Sequence, residues 1–265
     1  MVPDASEITF VSLCRILGRV MAGGPHQPPA APPFDCGLSG PQSGACSHLL
    51  IFVHRIQGLP PGLYMLVRDM NQLDVLMQEL SPEFGWSLCA PKQDDETGAI
   101  TGARAIPRGP ERAVETLQLL ASGVLPLFCL AVGDVQDYAK QAFCHQDVAS
   151  DGSFAVAMIA PLAVAPVAGS EDGSERPTPV RGRWYREALW ECGLISQCLY
   201  LACEAEAQHL HGTALGCMFD DAIGQVLGLS RDSRYACLHG FACGAGIVGE
   251  LNDDDAGDEP TGPVH

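Results

Sequence analysis

Lysine is almost absent from this 265-residue chain. Lys92 and Lys140 are the two lysines among 15 basic residues, which face 32 acidic ones for a formal charge of −17. A general nucleic-acid binder displaces phosphate counterions with a basic stripe, and no such stripe exists here, so that class is excluded. Long apolar runs are missing too. The longest uncharged stretches are broken by Pro, Gly or a flanking Glu well short of the ~20 residues a bilayer span needs. The opening MVPDASEITF lacks the basic and apolar regions of a signal peptide, and the expectation is a soluble, cytoplasmic protein. The 12 cysteines include no C-x-x-C pair, which argues against a zinc ribbon or redox couple and predicts buried thiols in a reducing compartment. No G-x-S-x-G, Walker or dinucleotide fingerprint is present.

What is present is a chain 47% hydrophobic and 18% charged, enough for one sizeable core or two small ones. Helical spacing of Phe10, Leu13, Leu17 and Val20 predicts a helix over Ile8–Met21, stopped by Gly23-Gly24-Pro25. Residues 22–46, rich in Gly, Pro and Ser, read as a long surface loop. Two apolar runs, His48–His54 and Leu63–Arg68, predict a β-hairpin, with Pro61-Gly62 placed for a type II turn. Asn71–Leu80 predicts a short helix with Asn71 as its cap. Residues 92–110 read as a polar loop, Arg112–Ala121 as a helix and Leu125–Val132 as a buried strand. Phe154–Val167 fits strand or helix equally, and Gly169–Pro179 reads as a polar linker.

The most informative stretch is Trp184–Leu210, where Ala188, Cys192, Ile195, Leu199 and Ala202 recur at steps of four and three. A helix this apolar through Cys192–Cys203 must be enclosed by protein, in a core or at a subunit interface. Gly212 then takes the place of a terminating C′ glycine. Ala222–Leu227 predicts another helix, Tyr235–Leu251 is ambiguous, and 250–265 reads as an acidic, disordered tail following a single domain over 1–249.

Individual residues carry little chemistry. His209 and His211 diverge by about 200° if helical and cannot share a metal. Cys144-His145 is a conceivable thiolate–imidazole neighbourhood, yet adjacent side chains point apart and no third residue orients them. Asp253-Asp254-Asp255 lacks the glycine and bidentate glutamate of a calcium loop. Asp220-Asp221 precede a helix and read as caps. No catalytic residue and no metal site is assigned.

The order of segments says more. HLLIFVHRIQGLPPGLYMLVRD (His48–Asp69), CHQDVASDGSFAVAMIAP (Cys144–Pro161) and WYREALWECGLISQCLYLACEAEAQHLHGTALGCMFDDAIGQVLGL (Trp184–Leu229) together resemble the FMN-dependent nitroreductase-like superfamily, most of all the SagB-type dehydrogenases that oxidise azoline rings in peptide natural products. The resemblance implies an α+β fold with a central, mostly antiparallel sheet, a long helix at a homodimer interface, and FMN held between subunits. It implies FMN-dependent oxidoreductase activity on a heterocycle in a peptide or on a small electrophile, with NAD(P)H as a donor. The alternative is a degenerate, cofactor-free domain acting as an interaction subunit. By similarity, Leu215, Gly216 and Cys217 are the backbone neighbours of the flavin. A glycine suits close approach to a planar cofactor. The family's Arg-Arg-Ser segment has no match ahead of Ile8–Met21, which leaves Arg231 and Arg234 as the nearest cations for the flavin phosphate.

Overall fold

The computed structural model describes residues 8–21, 47–164, 178–179, 182–206, 210–230 and 232–245. Expectations for the loop 22–46, most of the 169–179 linker, His209, Arg231 and the acidic tail with Asp253–Asp255 lie outside the described residues.

Chain order begins with a two-residue strand β1 (Ile8–Thr9) and helix α1 (Phe10–Gly18). Thr9 caps α1 by accepting a 3.1 Å hydrogen bond from the Ser12 amide. Then come β2 (His48–Val53), β3 (Ile56–Gln57), β4 (Gly62–Leu66), α2 (Leu73–Glu79), β5 (Ser87–Gln93), β6 (Ile100–Ile106), α3 (Ala113–Ala121), β7 (Leu127–Val132), α4 (Gln136–Ala142), α5 (Val148–Asp151) and β8 (Phe154–Pro161). The remainder is β9 (Ala163–Val164), β10 (Thr178–Pro179), α6 (Gly182–Glu204), β11 (Leu210–Leu215), α7 (Asp220–Leu227) and β12 (Tyr235–Ala245).

Eight strands form one sheet in the order β11-β12-β8-β2-β4-β7-β5-β6, every neighbouring pair antiparallel. Both faces are covered, which explains why the runs at β2, β4 and β8 are continuously apolar rather than alternating. Leu49, Ile51 and Val53 of β2 join Tyr64, Leu66, Val156 and Met158 in a core beneath α1 and α6. Their alternates Leu50 and Phe52 join Met65, Ala155, Ala157 and Ile159 in a second core beneath α2, α4 and α7.

One buried ion pair fastens the first of these layers to the sheet. Arg68, just past β4, donates from Nη1 to Glu191 Oε1 on α6 at 2.5 Å and to the Ser47 carbonyl at 2.9 Å, and from Nε to the Val20 carbonyl at 2.7 Å. Glu191 also accepts from the Ser47 amide at 3.0 Å. Four chain segments thus meet at two side chains. Next to them, His48 Nδ1 accepts from the Arg68 amide at 3.2 Å, so its proton sits on Nε2 and faces Gln72 Oε1.

Several expectations need correction. Residues 92–110 are not a loop throughout, because Lys92 and Gln93 end β5 and Ile100–Ile106 is β6. These strands close the sheet at one edge and carry exposed positions, so their polarity mimics a loop. The turn between them is built by Asp94, whose side chain accepts from the Glu96 and Thr97 amides, and by Gly98 at φ +68°. The tight turn of the β2–β4 connection falls at Ile56–Leu59, with Gly58 at φ +83°, and not at Pro61-Gly62, because β3 pairs with β1 and Gly62 already belongs to β4. Asp69, not Asn71, supplies the cap, and it caps a 3₁₀ turn ahead of α2. Gly212 does not terminate α6, which ends at Glu204. It lies inside β11, where a Cβ would run into the Phe241 ring. Thr178–Pro179, expected in a linker, pair with β9. Phe154–Pro161 resolves as strand, as does Tyr235–Ala245.

Replacing Glu191 by Ala leaves a buried guanidinium uncompensated, and urea denaturation should show a loss of about 3 kcal/mol. Acid should act through His48, whose pKa burial pushes down to about 4. The unfolded chain then binds the proton first, so stability is full above the unfolded value and falls as pH drops through the window from about 6.5 to about 4, by roughly 2 kcal/mol at pH 5. His48→Gln should remove its share of this slope and leave that of His54, whose pKa burial also pushes down to about 4; an unchanged slope would remove His48 as a source.

Candidate functional site

The long helix α6 sets the position of everything beyond it. Ala188, Cys192, Ile195, Leu199 and Cys203 are buried against the sheet and α1. Its other face leaves Tyr185, Leu189, Trp190 and Leu201 exposed, Trp190 at 55% and Leu201 at 64%. Tyr200 reaches from α6 to β11, its Oη accepting a 2.7 Å hydrogen bond from the Ala214 amide and its ring lying edge-on to Phe241. Strand β11 is therefore held between α6 and β12, and its last residue, Leu215, is buried opposite Gly240.

Beyond Leu215 the chain emerges. Gly216 and Cys217 are exposed, and a Cβ at Gly216 would meet only open space. Cys217 is bonded through a disulfide to Cys144, which lies after α4. This corrects the expectation of buried free thiols for Cys144 and Cys217, and it agrees with the reading that Cys144 is not a nucleophile beside His145. The eight other described cysteines are free and buried or half-buried. Burial pushes the thiols of Cys14 and Cys237 up to about 12 and that of Cys192 to about 11, so they are inert at neutral pH.

Next to the disulfide is a cleft of about 580 Å³ lined by Gln141 and His145 on one side and by Met218, Phe219, Asp220, Asp221, Ala222 and Gln225 on the other. The Phe219 amide donates to the Ala142 carbonyl at 2.8 Å, and the Phe219 ring meets His145 edge-on. Phe219, not an aspartate, is the N-cap of α7. Asp220 and Asp221 sit in the first helical turn instead, where the helix dipole favours negative charge. Burial first, and the Asp221 charge second, hold the Asp220 carboxyl above the usual range.

The structure thus puts Leu215, Gly216 and Cys217 immediately ahead of the cleft-lining Met218, Leu215 buried at the end of β11 and the other two exposed. It places Arg234 elsewhere: immediately ahead of β12, roughly 20 Å along the strand from Leu215 at about 3.3 Å per residue. There Arg234 Nε donates to Glu79 Oε1 at 2.8 Å. Arg231 lies outside the described residues. His211 falls on β11 and its Nδ1 lies 2.8 Å from Glu204 Oε1. Among the described residues there is no group of three or more His, Cys, Asp or Glu placed to hold a metal ion. None of their helices is long and apolar enough to cross a membrane. The cleft and the disulfide were missed in the sequence, because 73 residues separate the two cysteines and no local pattern links them.

No family model matches the sequence, and no curated protein matches it. Solved structures do. A protein assigned as a nitroreductase from Anabaena variabilis superposes with a TM-score of 0.53 at 16% identity, over 92% of this chain and 35% of the other. The E. coli microcin synthetase McbBCD complex with truncated pro-MccB17 bound gives 0.48 at 12% identity, over 92% and 66%. A nitroreductase assignment from Ralstonia eutropha gives 0.43 at 9%, over 90% and 73%. The fold is nitroreductase-like, α+β with a large antiparallel sheet flanked by helices, and the chain spans about a third of the length of the Anabaena protein.

A flavin mononucleotide makes different demands at its two ends. The ring needs open backbone, which Gly216 and Cys217 offer beside the cleft. The phosphate needs charge-assisted donors, and the cleft lining holds no Lys or Arg and two aspartates. Arg234 suits an anion better, since its ion pair with Glu79 runs through Nε. The residues therefore fit the group only with its ring toward Gly216 and its phosphate away from Asp220.

Asp221→Asn should lower the Asp220 pKa, since removing a neighbouring negative charge favours ionisation, yet leave it above the ordinary carboxylate value because burial is the larger cause. A carbon-13 NMR titration of the Asp220 carboxyl reads this directly; no movement would show that the two charges do not interact.

Proposed function

We propose that the chain is an FMN-dependent oxidoreductase of the nitroreductase-like type, working in the cytosol on a heterocycle of a peptide natural product or on a small electrophile. The observation that carries this reading is the exposed segment Gly216–Cys217 directly ahead of the cleft-lining Met218 and Phe219 in a nitroreductase-like fold. When bound, FMN supplies the hydride chemistry, with NAD(P)H as donor. The chain's own task is to hold and shield it. Leu215, Gly216 and Cys217 would hold the ring through their backbone, and Arg234 with Arg231 would hold the phosphate. The cleft between His145 and Phe219 would receive the substrate. A second copy of the chain would cover the exposed face of α6, where Tyr185, Leu189, Trp190 and Leu201 stand in solvent in a single chain, an arrangement apolar enough to support a subunit interface.

The test is expression with excess FMN followed by gel filtration and a visible spectrum of the protein peak. A flavin band near one per chain, at a dimer's elution volume, is expected; a colourless peak overturns the reading and favours the cofactor-free interaction subunit. Arg234→Gln should weaken FMN about tenfold, or ~1.4 kcal/mol, while leaving riboflavin, which has no phosphate, unaffected. Equal weakening of both would show that Arg234 serves only its pair with Glu79.

A further inference from the structure

We propose that the Cys144–Cys217 disulfide is a thiol-exchange site that clamps the cleft, and that a dithiol reductant opens it. The bond joins the two walls. Gln141 and His145 flank Cys144 on one wall, and Met218 and Phe219 follow Cys217 on the other. The remaining ties between these segments are modest: the Phe219 amide to the Ala142 carbonyl at 2.8 Å, the Gln146 side chain to the Cys217 carbonyl at 3.5 Å, and the ring contact of His145 with Phe219. Severing the covalent link leaves the wall carrying Gly216–Phe219 free to move outward.

Accessibility and conformation point the same way. Cys217 is exposed and Cys144 half-buried, so an external thiolate reaches the Cys217 sulfur first. Cys144 and His145 both take left-handed backbone angles, φ +56° and +58°, which residues with a Cβ avoid unless held. The His145 amide bond to the Lys140 carbonyl at 2.8 Å and the disulfide are what hold them. Reduction releases one of these restraints. The exchange balances as follows: a reductant thiolate attacks Cys217 Sγ, the S–S bond breaks, and Cys144 leaves and takes a proton. The reductant's second thiol then displaces Cys217, which is also protonated, and the reductant ends as its own disulfide.

The clamp does not need the flavin, and rests on the reading above only in its consequence that reduction changes flavin retention. Peptide mapping of the unreduced chain should find Cys144 linked to Cys217. Brief treatment with dithiothreitol under native conditions, then iodoacetamide, should label these two before the buried Cys203, Cys237 and Cys243. Amide exchange over 216–222 should rise about tenfold on reduction, with far-UV circular dichroism unchanged. The Cys144→Ser/Cys217→Ser variant should exchange at the fast rate with or without dithiothreitol. Should that variant not fold, the comparison of reduced and oxidised wild-type protein decides alone. Absence of the linked peptide, or equal exchange in both redox states, overturns the proposal. FMN retention is scored separately in each state: a clamp that opens in a chain binding no FMN in either state keeps this inference and removes the flavin reading.

Discussion

The pairing of Arg68 with Glu191 is the constraint from which the arrangement of the site follows. It ties the end of β4, the residue before β2, the chain just after α1 and the side of α6 to one another. Such a pair is poor evidence of net stability, because desolvating two charges offsets much of their attraction. What it does supply is registration. An apolar helix can slide on an apolar sheet at little cost, whereas a guanidinium with carbonyl and carboxylate partners from separate segments has one satisfied position. With α6 registered, Tyr200 meets the Ala214 amide and Phe241, and β11 is held beside β12. The emergence of Gly216 and Cys217 beside the cleft is a consequence of that chain of contacts.

The same logic explains which glycines matter. At Gly212 the Phe241 ring occupies the space a side chain would need, and at Gly240 the Phe143 ring does so. Both are close approaches that let aromatic rings fill the two cores on either side of the β11–β12 pair. Gly216 differs, since nothing stands where its Cβ would be. Its lack of a side chain serves no packing among the described residues.

How much of this could be read from residues alone depended on whether the signal was local. The β2–β4 hairpin, α1, α7 and the long α6 are written in contiguous apolar patterns, although α6 ends at Glu204, six residues short of its expected limit, where β11 takes over Leu210. The β5–β6 hairpin was hidden because edge strands with exposed faces have the composition of loops. Gly212 misled because a glycine after a helix has two physical uses, ending the helix or admitting a ring, and only the neighbouring strand decides between them. In the candidate site, Leu215, Gly216 and Cys217 were singled out only through the resemblance of their segment, and in the structure they precede the cleft-lining Met218. Of the opposite wall, Gln141 carried no sequence signal and His145 stood out only as the neighbour of Cys144, since the nearness of this wall to Phe219 is a long-range contact. The disulfide follows from that same long-range proximity.

Charge supplies the last step. With 32 acidic and 15 basic residues, an anionic ligand is repelled by the chain as a whole, and the guanidinium groups that could offset this are largely engaged. Arg68 is buried with Glu191, Arg55 serves the carbonyls of Ser150 and Gly152, and Arg104 and Arg112 share Glu115. Arg234 stands at the start of β12, near the opposite end of the β8–β12 ladder from the disulfide. Under the proposed reading, a ligand planar and uncharged at one end and doubly anionic at the other would lie with its ring by Gly216 and its anion toward Arg234, the acidic pair at the start of α7 disfavouring the reverse.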